Sequence, residues 1–586
     1  MRQWMVAAKK ADFYAIAEKF HVDPVVARII RNREVIGEKN IRIYLGGNLS
    51  DLSDPHQMKD MDRLVEILAQ KIRKQVHIRI IGDYDVDGVT SSHLFLTALR
   101  RVGAKVDVVI PHRIQDGYGL SLHLLQQAKE DGVDTILTCD NGIAAIDEIA
   151  WAKAQKMTVL VTDHHAVPFE EHEGRRTEKK SLADAVVNPH QQDCRYPYKE
   201  LCGAGVAWNV IRVLYENYDM DKREAEDLLD FVAMATVCDV MSLTGENRIL
   251  VKEGLKRIRH TKNIGLQALM QACNVQPENI SAYHFGYVLG PCVNATGRLD
   301  TARHALRLFE NGQETEAEEI ARDLVDMNQE RKELTLQGVE MAKKLCEEGG
   351  YENDPILVLF LPDVHESIAG LIAGRIREMY NRPVFVLTRG EEGVKGSGRS
   401  TENYSMYENM CGCAELFTKF GGHPMAAGLS LPEENVEKFR RKINENCPLT
   451  VEEVCPDIHI DMAMPVGYAS TELVHQFALL EPFGKDNPSP LFADRNLSIS
   501  RMWVIGKNRN VLRMSVLSEY GQPVPVIFFG DVETLFAYFT EKFGQEEVEN
   551  ALHGRKNRIL FSMVYTAKID FYQGNENLQL EMKYYR

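Results

Sequence analysis

Ile80-Ile81-Gly82-Asp83-Tyr84-Asp85-Val86-Asp87-Gly88 sets three carboxylates at alternate positions directly after a short apolar run. Carboxylates this close repel one another and destabilise a fold unless a cation lies among them. The flanking glycines permit a tight turn at the end of a strand. Taken alone, the stretch also fits an acidic solvated turn or a helix cap. We interpret it as a β-strand that ends in a site for a divalent cation.

Other polar motifs support that interpretation. Val161-Thr162-Asp163-His164-His165 follows a second apolar run, Cys139-Asp140-Asn141-Gly142 follows a third, and Asp239 ends an apolar helical stretch. Alone, Asp140 fits an ordinary turn and Asp239 a helix end. A mixed set of aspartates and histidines suits Mg²⁺ or Mn²⁺ better than a structural zinc. Together the motifs predict a metal-dependent site for phosphoryl transfer.

The motifs occur within a strand–helix alternation. A helix is predicted at Val89–Arg101, and strands are predicted at Val76–Ile81, Val106–Ile110, Thr135–Thr138 and Thr158–Thr162. This rhythm is typical of an α/β fold in which helices cover a parallel sheet. Open sheets of this kind bind ligands at the carboxyl ends of their strands, where these polar motifs lie.

The remainder of the chain divides into further predicted units. A long charged helix at Glu314–Glu348 leads to a second, smaller α/β unit that begins near Pro355. From about Asp457, short alternating strands predict an all-β barrel. The predicted boundaries are an N-terminal extension at 1–50, the parallel-sheet domain at 51–305, the connecting helix at 306–350, the smaller α/β domain at 351–450 and the barrel at 455–586.

Composition limits the possible functions. The chain has 586 residues, 44% hydrophobic and 26% charged, and a net charge of −16, which argues against wholesale coating of nucleic acid but allows a local basic groove. The first 20 residues have no signal-peptide core, and no run of about 20 apolar residues could span a bilayer. The scattered cysteines indicate reduced thiols. We therefore expect a cytoplasmic protein with no membrane association, and a monomer by default.

Asp163-His164-His165 is the motif after which the DHH phosphoesterase superfamily is named, and the whole set of motifs resembles the RecJ family within it. The resemblance rests also on segments that match in order and spacing, from about residue 40 to the end of the chain. These segments are Ile110–Arg113, Asp116–Leu120, Gly290–Leu299, Gly396–Ser400, Phe420–Gly428 and Glu481–Pro488. It implies a DHH domain, a DHHA1 domain and a C-terminal OB-fold.

The resemblance also implies roles for the acids and histidines. Asp140 would bridge two divalent ions, Mn²⁺ or Mg²⁺, with Asp83 as support or a further ligand. His165 would face the scissile phosphate, and Asp163 could orient His164. The full set of expected metal ligands is Asp83, Asp85, Asp87, Asp140, His164 and Asp239; those expected to be catalytic are Asp85, Asp87, Asp140, His164, His165 and Asp239. Two such ions can bridge a phosphate and stabilise the leaving oxygen.

A second group of residues is expected to bind the 5′-phosphate and the DNA. Arginine matches phosphate oxygens with its planar fork, and the glycines around Ser397 let backbone N–H groups approach an anion. The expected residues are Arg113, Asn294, Arg298, Ser397, Arg399, His423 and Trp503. Surface ion pairs, a structural loop histidine and a core tryptophan are the alternatives. Trp503, with Lys507, Arg509 and Arg513 nearby, would stack on bases.

One segment departs from the family pattern. Val364-His365-Glu366-Ser367-Ile368-Ala369-Gly370 stands where the family usually has Trp-His-Glu-Gly-Val-Ile-Gly. The aromatic residue and the first glycine are missing, so a stacking contact or a close backbone approach at this point is in doubt. The metal motifs are not affected.

The resemblance implies a 5′→3′ exonuclease that is specific for single-stranded DNA, releases mononucleotides and acts in DNA recombination and repair. Its partners would be single-stranded DNA, a RecQ-type helicase and a single-strand-binding protein. The alternative function is a DHH phosphodiesterase or phosphatase acting on short oligonucleotides or small nucleotides. The predicted barrel favours the exonuclease, because small substrates need no domain to guide a strand. A non-catalytic scaffold is a third possibility, which the complete set of acids argues against.

Overall fold

A computed structural model describes residues 3–113, 116–117, 119–172, 175–351, 353–390, 393–506, 509–572 and 574–586. The chain folds into two compact units. One unit contains residues 49–456, and the other combines residues 3–48 with residues 457–586. Among the described residues, no helix has both the length and the apolar character needed to cross a membrane.

The first unit contains the predicted parallel sheet. Its strands lie in the order Val106–Val109, Ile78–Ile81, Thr135–Cys139, Thr158–Thr162 and Ala185–Val187, and every neighbouring pair is parallel. The three central strands are almost entirely buried, as expected for strands covered on both faces. The carboxyl ends of these strands therefore meet at one edge of the sheet, and this edge carries Asp83, Asp140 and Asp163.

Helices pack on both faces of this sheet. Val86–Arg101 begins three residues before the predicted helix, because Asp85 caps it. Further helices in this part of the chain are Met61–Arg73, Leu122–Glu130, Ile146–Ala154, Gly203–Asn217, Lys222–Glu226, Leu229–Cys238, Gly245–Ile258, Ile264–Ala272, Ala282–His284, Gly290–Leu299 and Arg303–Glu310, and a π-helical turn occupies Phe285–Leu289. Phe169–His172 and Arg175–Glu178 form a separate antiparallel hairpin.

A helix at Glu314–Glu348, with the predicted bounds, leads to the second sheet. Its strands lie in the order Lys419–His423, Ala426–Leu431, Val394–Arg399, Val384–Arg389 and Leu357–Phe360. Only the last pair is parallel. The glycine-rich segments of the sequence are thus strands. The helices here are Ala369–Tyr380, Met406–Cys411 and Val436–Glu445.

The second unit is built on a six-stranded sheet that closes on itself. The order is Met462–Ala463, Phe492–Ile505, Val511–Leu517, Pro523–Phe529, Asn575–Tyr585 and Leu560–Tyr572, and Phe492–Ile505 also pairs with Leu560–Tyr572. Sequence reasoning missed the strand at Asn575–Tyr585. Helices at Thr471–Phe477, Val532–Phe543 and Gln545–Leu552 accompany the barrel.

Residues 3–48, which belong to the N-terminal extension predicted at 1–50, form one compact unit with the barrel. Trp4–Val6 pairs in parallel with Ile458–Ile460. Arg33 donates to both carboxylate oxygens of Asp461, at 2.6 and 3.1 Å. The helices of this segment are Phe13–Phe20, Pro24–Asn32 and Glu38–Gly46. Strand pairing and a buried ion pair therefore attach the N-terminal segment to the unit.

Candidate metal centre and phosphate pocket

The turn after the strand Ile78–Ile81 delivers three aspartates to the edge of the sheet. Asp83 is buried, and Asp85 caps the following helix by accepting a hydrogen bond from the Gly88 N–H at 3.0 Å. A Cβ on Gly88 would lie 2.5 Å from the backbone of Asp83, so this turn requires a glycine. Asp87 then follows in the first helical turn, where it is also buried.

A second helix fixes the carboxylate of Asp87. The backbone N–H groups of Gly203 and Ala204, at the start of the helix Gly203–Asn217, donate to its two oxygens at 2.6 and 2.7 Å. A Cβ on Gly203 would lie 2.6 Å from the Asp140 Cβ. Glycine at this position thus lets the helix end approach both acids. The positive end of the helix dipole also stabilises the negative charge on Asp87.

His164 is the centre of the cluster. Its Nε2 lies 3.1 Å from Asp140 Oδ1, 3.6 Å from Asp239 Oδ2 and 3.7 Å from Asp87 Oδ2. Asp140 has a positive φ of 61°, which aspartate tolerates better than most residues. Asp239 directly follows the helix Leu229–Cys238. Four separate segments therefore bring their side chains to one point.

Asp163 contacts the ring of His165, not that of His164 as the sequence suggested. Its Oδ1 lies 2.8 Å from His165 Nδ1 and accepts the backbone N–H groups of both histidines, while its Oδ2 accepts the N–H of Ile143. Burial lowers the pKa of His165, but the hydrogen bond to Asp163 and the negative charges of Asp163, Asp239 and Asp87 together outweigh it and raise that pKa to about 9. In the metal-free protein His165 is therefore a cation at neutral pH.

The electrostatics of the cluster require positive charge. Burial, together with neighbouring carboxylates, raises the pKa values of Asp83 and Asp140 well above the usual range. Burial lowers the pKa of His164, which keeps its imidazole neutral, as a metal ligand must be. Among the described residues, Asp83 Oδ1 and His164 Nε2 are buried and make no hydrogen bond of acceptable geometry.

The donor set fits divalent cations. Three groups each hold their ligand atoms within 4.8 Å of one another; Asp140 belongs to two of these groups, and His164 also belongs to two. The groups are Asp83 with Asp85 and Asp140, Asp87 with His164 and Asp239, and Asp140 with His164 and His165. Oxygen ligands with an occasional imidazole are the choice of Mg²⁺ and Mn²⁺. All seven acids and histidines that the sequence singled out thus lie in this cluster.

A cavity of about 490 Å³ lies beside the cluster and is lined by residues of both sheets of the first unit. Arg113 lies over the ring of Tyr84, 4.9 Å from its centroid, and Ser397 also lines the cavity. Lys419 adds positive charge to the wall, whereas Lys395 is paired there with the Glu366 carboxylate at 2.9 Å. Tyr84, between two of the acids, therefore belongs to both sites, a role that sequence reasoning missed.

Two further arginines are close to this cavity. Arg298 donates to the Ser367 carbonyl at 2.7 Å, and burial, together with Arg113, Arg331 and Arg399, lowers its pKa to about 9. A Cβ on Gly370 would lie 2.9 Å from the Arg399 guanidinium. The backbone of the atypical segment Val364–Gly370 thus lies against both arginines. These contacts do not require the tryptophan that the family usually has in this segment.

The other expected DNA-binding residues are more scattered. Asn294 accepts a hydrogen bond from the Val86 N–H at 3.2 Å, next to Asp85. His423 is exposed at the end of its strand. In the second unit, Trp503 is 38% exposed and lines a cavity of about 310 Å³ with Arg513 opposite it, so it is not a core residue. Lys507, and Tyr118 of the Asp116–Leu120 motif, lie outside the described residues.

In the comparison with known proteins, three family models match parts of the chain. The DHH family, N-terminal domain, matches residues 77–236, the DHHA1 domain matches residues 353–447, and the RecJ OB domain matches residues 460–584. The predicted order of domains is that of the matched models.

Several relatives that match over most of the chain are named as single-stranded-DNA-specific exonucleases. The chain is 32% identical to the single-stranded-DNA-specific exonuclease RecJ of Haemophilus influenzae, over 96% of each protein, and 31% identical to that of Escherichia coli, over 95% of each. It is 33% identical to RecJ of Bacillus subtilis, over 87% of this chain but 63% of that protein.

Solved structures agree with the fold. RecJ of Thermus thermophilus in complex with Mn²⁺ matches over 100% of this chain and 79% of its own, with a TM-score of 0.81 and 24% identity. A structure of exonuclease RecJ bound to manganese matches 66% of this chain and 94% of its own, with a TM-score of 0.57 and 31% identity.

Proposed function

Because the chain belongs to the RecJ family of single-stranded-DNA-specific exonucleases, we propose that it degrades single-stranded DNA from the 5′ end and releases mononucleotides. The cofactors are two divalent metal ions, Mn²⁺ or Mg²⁺. The observation that carries this proposal is the meeting of an acid and histidine cluster with an arginine-lined cavity in one unit. The matched OB domain favours a long strand over a small nucleotide as the substrate.

Asp85, Asp87, Asp140, His164 and Asp239 are proposed to hold the metal ions, with Asp83 beside them. When bound, the ions supply Lewis acidity to the scissile phosphate and to the attacking water. The helix end at Gly203 and Ala204 keeps Asp87 in place, and Asp163 keeps the ring of His165 oriented. The ring of His165, oriented in this way, can donate a proton or a hydrogen bond to a phosphate oxygen.

The cavity is proposed to receive the 5′-phosphate end of the strand. Arg113 and Ser397 line it, while Arg298 and Arg399 add charge close by. An anion stabilises the mutual approach of these arginines, because each one raises the electrostatic cost of the others. A pocket that accepts only a chain end would give the enzyme its 5′→3′ polarity.

We further propose that the barrel binds single strands by stacking bases on Trp503, beside which Arg501 lies at 5.7 Å. We assign the protein to DNA recombination and repair in the cytoplasm, where its thiols, free among the described residues, are stable. A RecQ-type helicase that exposes single strands, and a single-strand-binding protein that holds them, are the proposed partners.

The test is the time course of product sizes from one DNA strand, labelled at its 5′ end in one sample and at its 3′ end in another. In Mn²⁺ the 5′ label should appear at once as a mononucleotide, while the 3′ label passes through progressively shorter strands. The reverse order, or cleavage inside the strand, would contradict the proposed polarity. Faster turnover of dinucleotides than of long strands would favour the small-substrate alternative instead.

A further inference from the structure

One helical segment borders the metal cluster and exposes a regular stripe of side chains. The segment consists of the short helix Ala282–His284, the π-helical turn Phe285–Leu289 and the helix Gly290–Leu299. Five of its exposed or half-exposed residues recur every three or four positions, which places those five on one face. The stripe consists of Tyr283, Tyr287, Pro291, Asn294 and Arg298.

This segment contacts the metal-binding elements at two points. Near its start, the Cys238 thiol donates to the Phe285 carbonyl at 3.3 Å, and Cys238 immediately precedes Asp239. Farther along, Asn294 accepts from the N–H of Val86, which immediately follows Asp85. A Cβ on Gly290 would collide with the Cys238 sulfur, so a glycine is needed for this close packing.

The stripe ends in the phosphate pocket. Arg298 donates to the Ser367 carbonyl, and Tyr287 lies eleven residues before it, roughly 16 Å along a helix. Arginine therefore occupies the end of the stripe at the pocket, and the tyrosines occupy the opposite end. A strand whose 5′ end lies in the pocket would pass the metal cluster before it reaches the tyrosines.

The two tyrosines form an exposed aromatic platform. Their rings are stacked, with centroids 5.0 Å apart and an interplanar angle of 23°. Tyr283 is 62% exposed and Tyr287 is 71% exposed, so neither ring belongs to the core. Tyr287 lies in the π-helical turn, a kind of distortion that is frequent at functional sites.

We propose that Tyr283 and Tyr287 stack against unpaired bases of the substrate on the 3′ side of the scissile phosphate. This inference rests on the proposed function and adds a specificity device to it. Stacking on aromatic rings is tolerant of sequence, as an exonuclease that removes every nucleotide requires. It also favours single strands, because the bases of a duplex are already stacked and paired within the helix.

The test combines protein variants that lack the two tyrosine rings with DNA strands that lack single bases. Binding of a 5′-phosphorylated strand is measured in an Asp140→Asn background that prevents cleavage, with single abasic sites placed at successive positions from the 5′ end. With both tyrosines intact, abasic sites at one or two adjacent positions should weaken binding by about fivefold or more. The double variant Tyr283→Ala/Tyr287→Ala should weaken binding of the intact strand similarly and should lose the sensitivity to those positions.

Matched variants make the result specific. Tyr283→Phe/Tyr287→Phe should restore both the affinity and the abasic profile, because it keeps the rings. Tyr14→Ala removes a tyrosine that is 78% exposed on a helix of the second unit, and it should bind as the parent does.

The inference is overturned if the alanine variant binds intact strands as tightly as the parent. It is also overturned if that variant binds more weakly but keeps the same abasic profile, since this would be a structural effect. Failure of the proposed function has a separate signature. In that case the unmodified protein would not shorten single-stranded DNA in Mn²⁺.

Discussion

Replacing Gly203 with alanine would place a methyl group against Asp140, at the point where a helix end approaches two of the acids. The new Cβ would lie 2.6 Å from the Asp140 Cβ and 3.0 Å from its Cα, which is about 1 Å inside normal carbon contact distance. Either Asp140 or the helix end must move by a comparable amount. Asp140 has little freedom, because its φ of 61° is already unusual.

The magnitude follows from the bonds that such a shift would break. Asp87 accepts two hydrogen bonds from this helix end, at 2.6 and 2.7 Å. A hydrogen bond to a charged group contributes about 1.5–3 kcal/mol, so the two together contribute about 3–6 kcal/mol. If that free energy is lost from the placement of the metal ligands, turnover falls by about a hundredfold to ten-thousandfold.

Gly205→Ala is the matched control, two residues farther along the same helix. There the new Cβ would meet the Leu201 side chain at 3.4 Å, an ordinary contact, and alanine should stabilise the helix by up to about 1 kcal/mol. Nucleotide release from single-stranded DNA and calorimetric Mn²⁺ titration measure both variants. Wild-type turnover and Mn²⁺ affinity in Gly203→Ala would refute the reasoning about this helix end.

Asp140→Asn should abolish hydrolysis in Mn²⁺, and asparagine tolerates the left-handed backbone at this position. Asp147→Asn, at an exposed helical position, should not abolish it. Appreciable turnover in Asp140→Asn would exclude a bridging role for Asp140. Because the folded state raises the pKa of Asp140, the ionised carboxyl destabilises the metal-free protein above its unfolded pKa, so the melting-temperature advantage of Asp140→Asn should grow from about pH 4 to about pH 7. Arg399→Ala should reduce the preference for 5′-phosphorylated over 5′-hydroxyl ends by about tenfold or more. Arg389→Ala, which breaks an exposed ion pair with Glu433, should leave that preference unchanged. An equal loss of the preference in both variants would remove Arg399 from the pocket. Trp503→Ala should weaken binding of long strands by about fivefold or more, whereas Trp503→Phe should retain most of the affinity. Unchanged binding in Trp503→Ala would show that this tryptophan has no role in DNA binding.

The strand ends could be predicted from the sequence because their signal is local. An apolar run such as Ile78–Ile81 followed at once by acids specifies a buried strand and the position of its carboxyl end. In a parallel sheet, that position is enough to bring Asp83, Asp140 and Asp163 to one edge. No such rule applies to Asp239, which follows a helix rather than a strand, so its assignment depended on the other motifs and on the resemblance.

The contacts that orient the site could not be predicted because they depend on distant segments. Nothing near Asp87 indicates that the N–H groups of Gly203 and Ala204, more than 100 residues away, occupy its oxygens. Whether Asp163 contacts the ring of His165 or that of His164 depends on side-chain rotamers, which the spacing of these residues in the sequence does not determine. In the same way, the parallel pairing of Trp4–Val6 with Ile458–Ile460 joins two segments that are far apart in the sequence and show no local sign of each other.

The two halves of the site carry opposite electrostatic costs, and this is the strongest physical reason to treat them as one site. The acid cluster concentrates negative charge, which raises the pKa of Asp140, while the arginines concentrate positive charge, which with burial lowers the pKa of Arg298 to about 9. Cations relieve the first cost and an anion relieves the second. A phosphodiester with its metal ions supplies both charges, and Tyr84, which lies between two of the acids in sequence and contacts Arg113, connects the two halves.

A cluster built only for stability would pair such groups with each other, as Arg33 pairs with Asp461 in the second unit. Because the acids and the arginines are kept apart, the arrangement indicates a site whose charges are balanced only when substrate and metal ions are bound together.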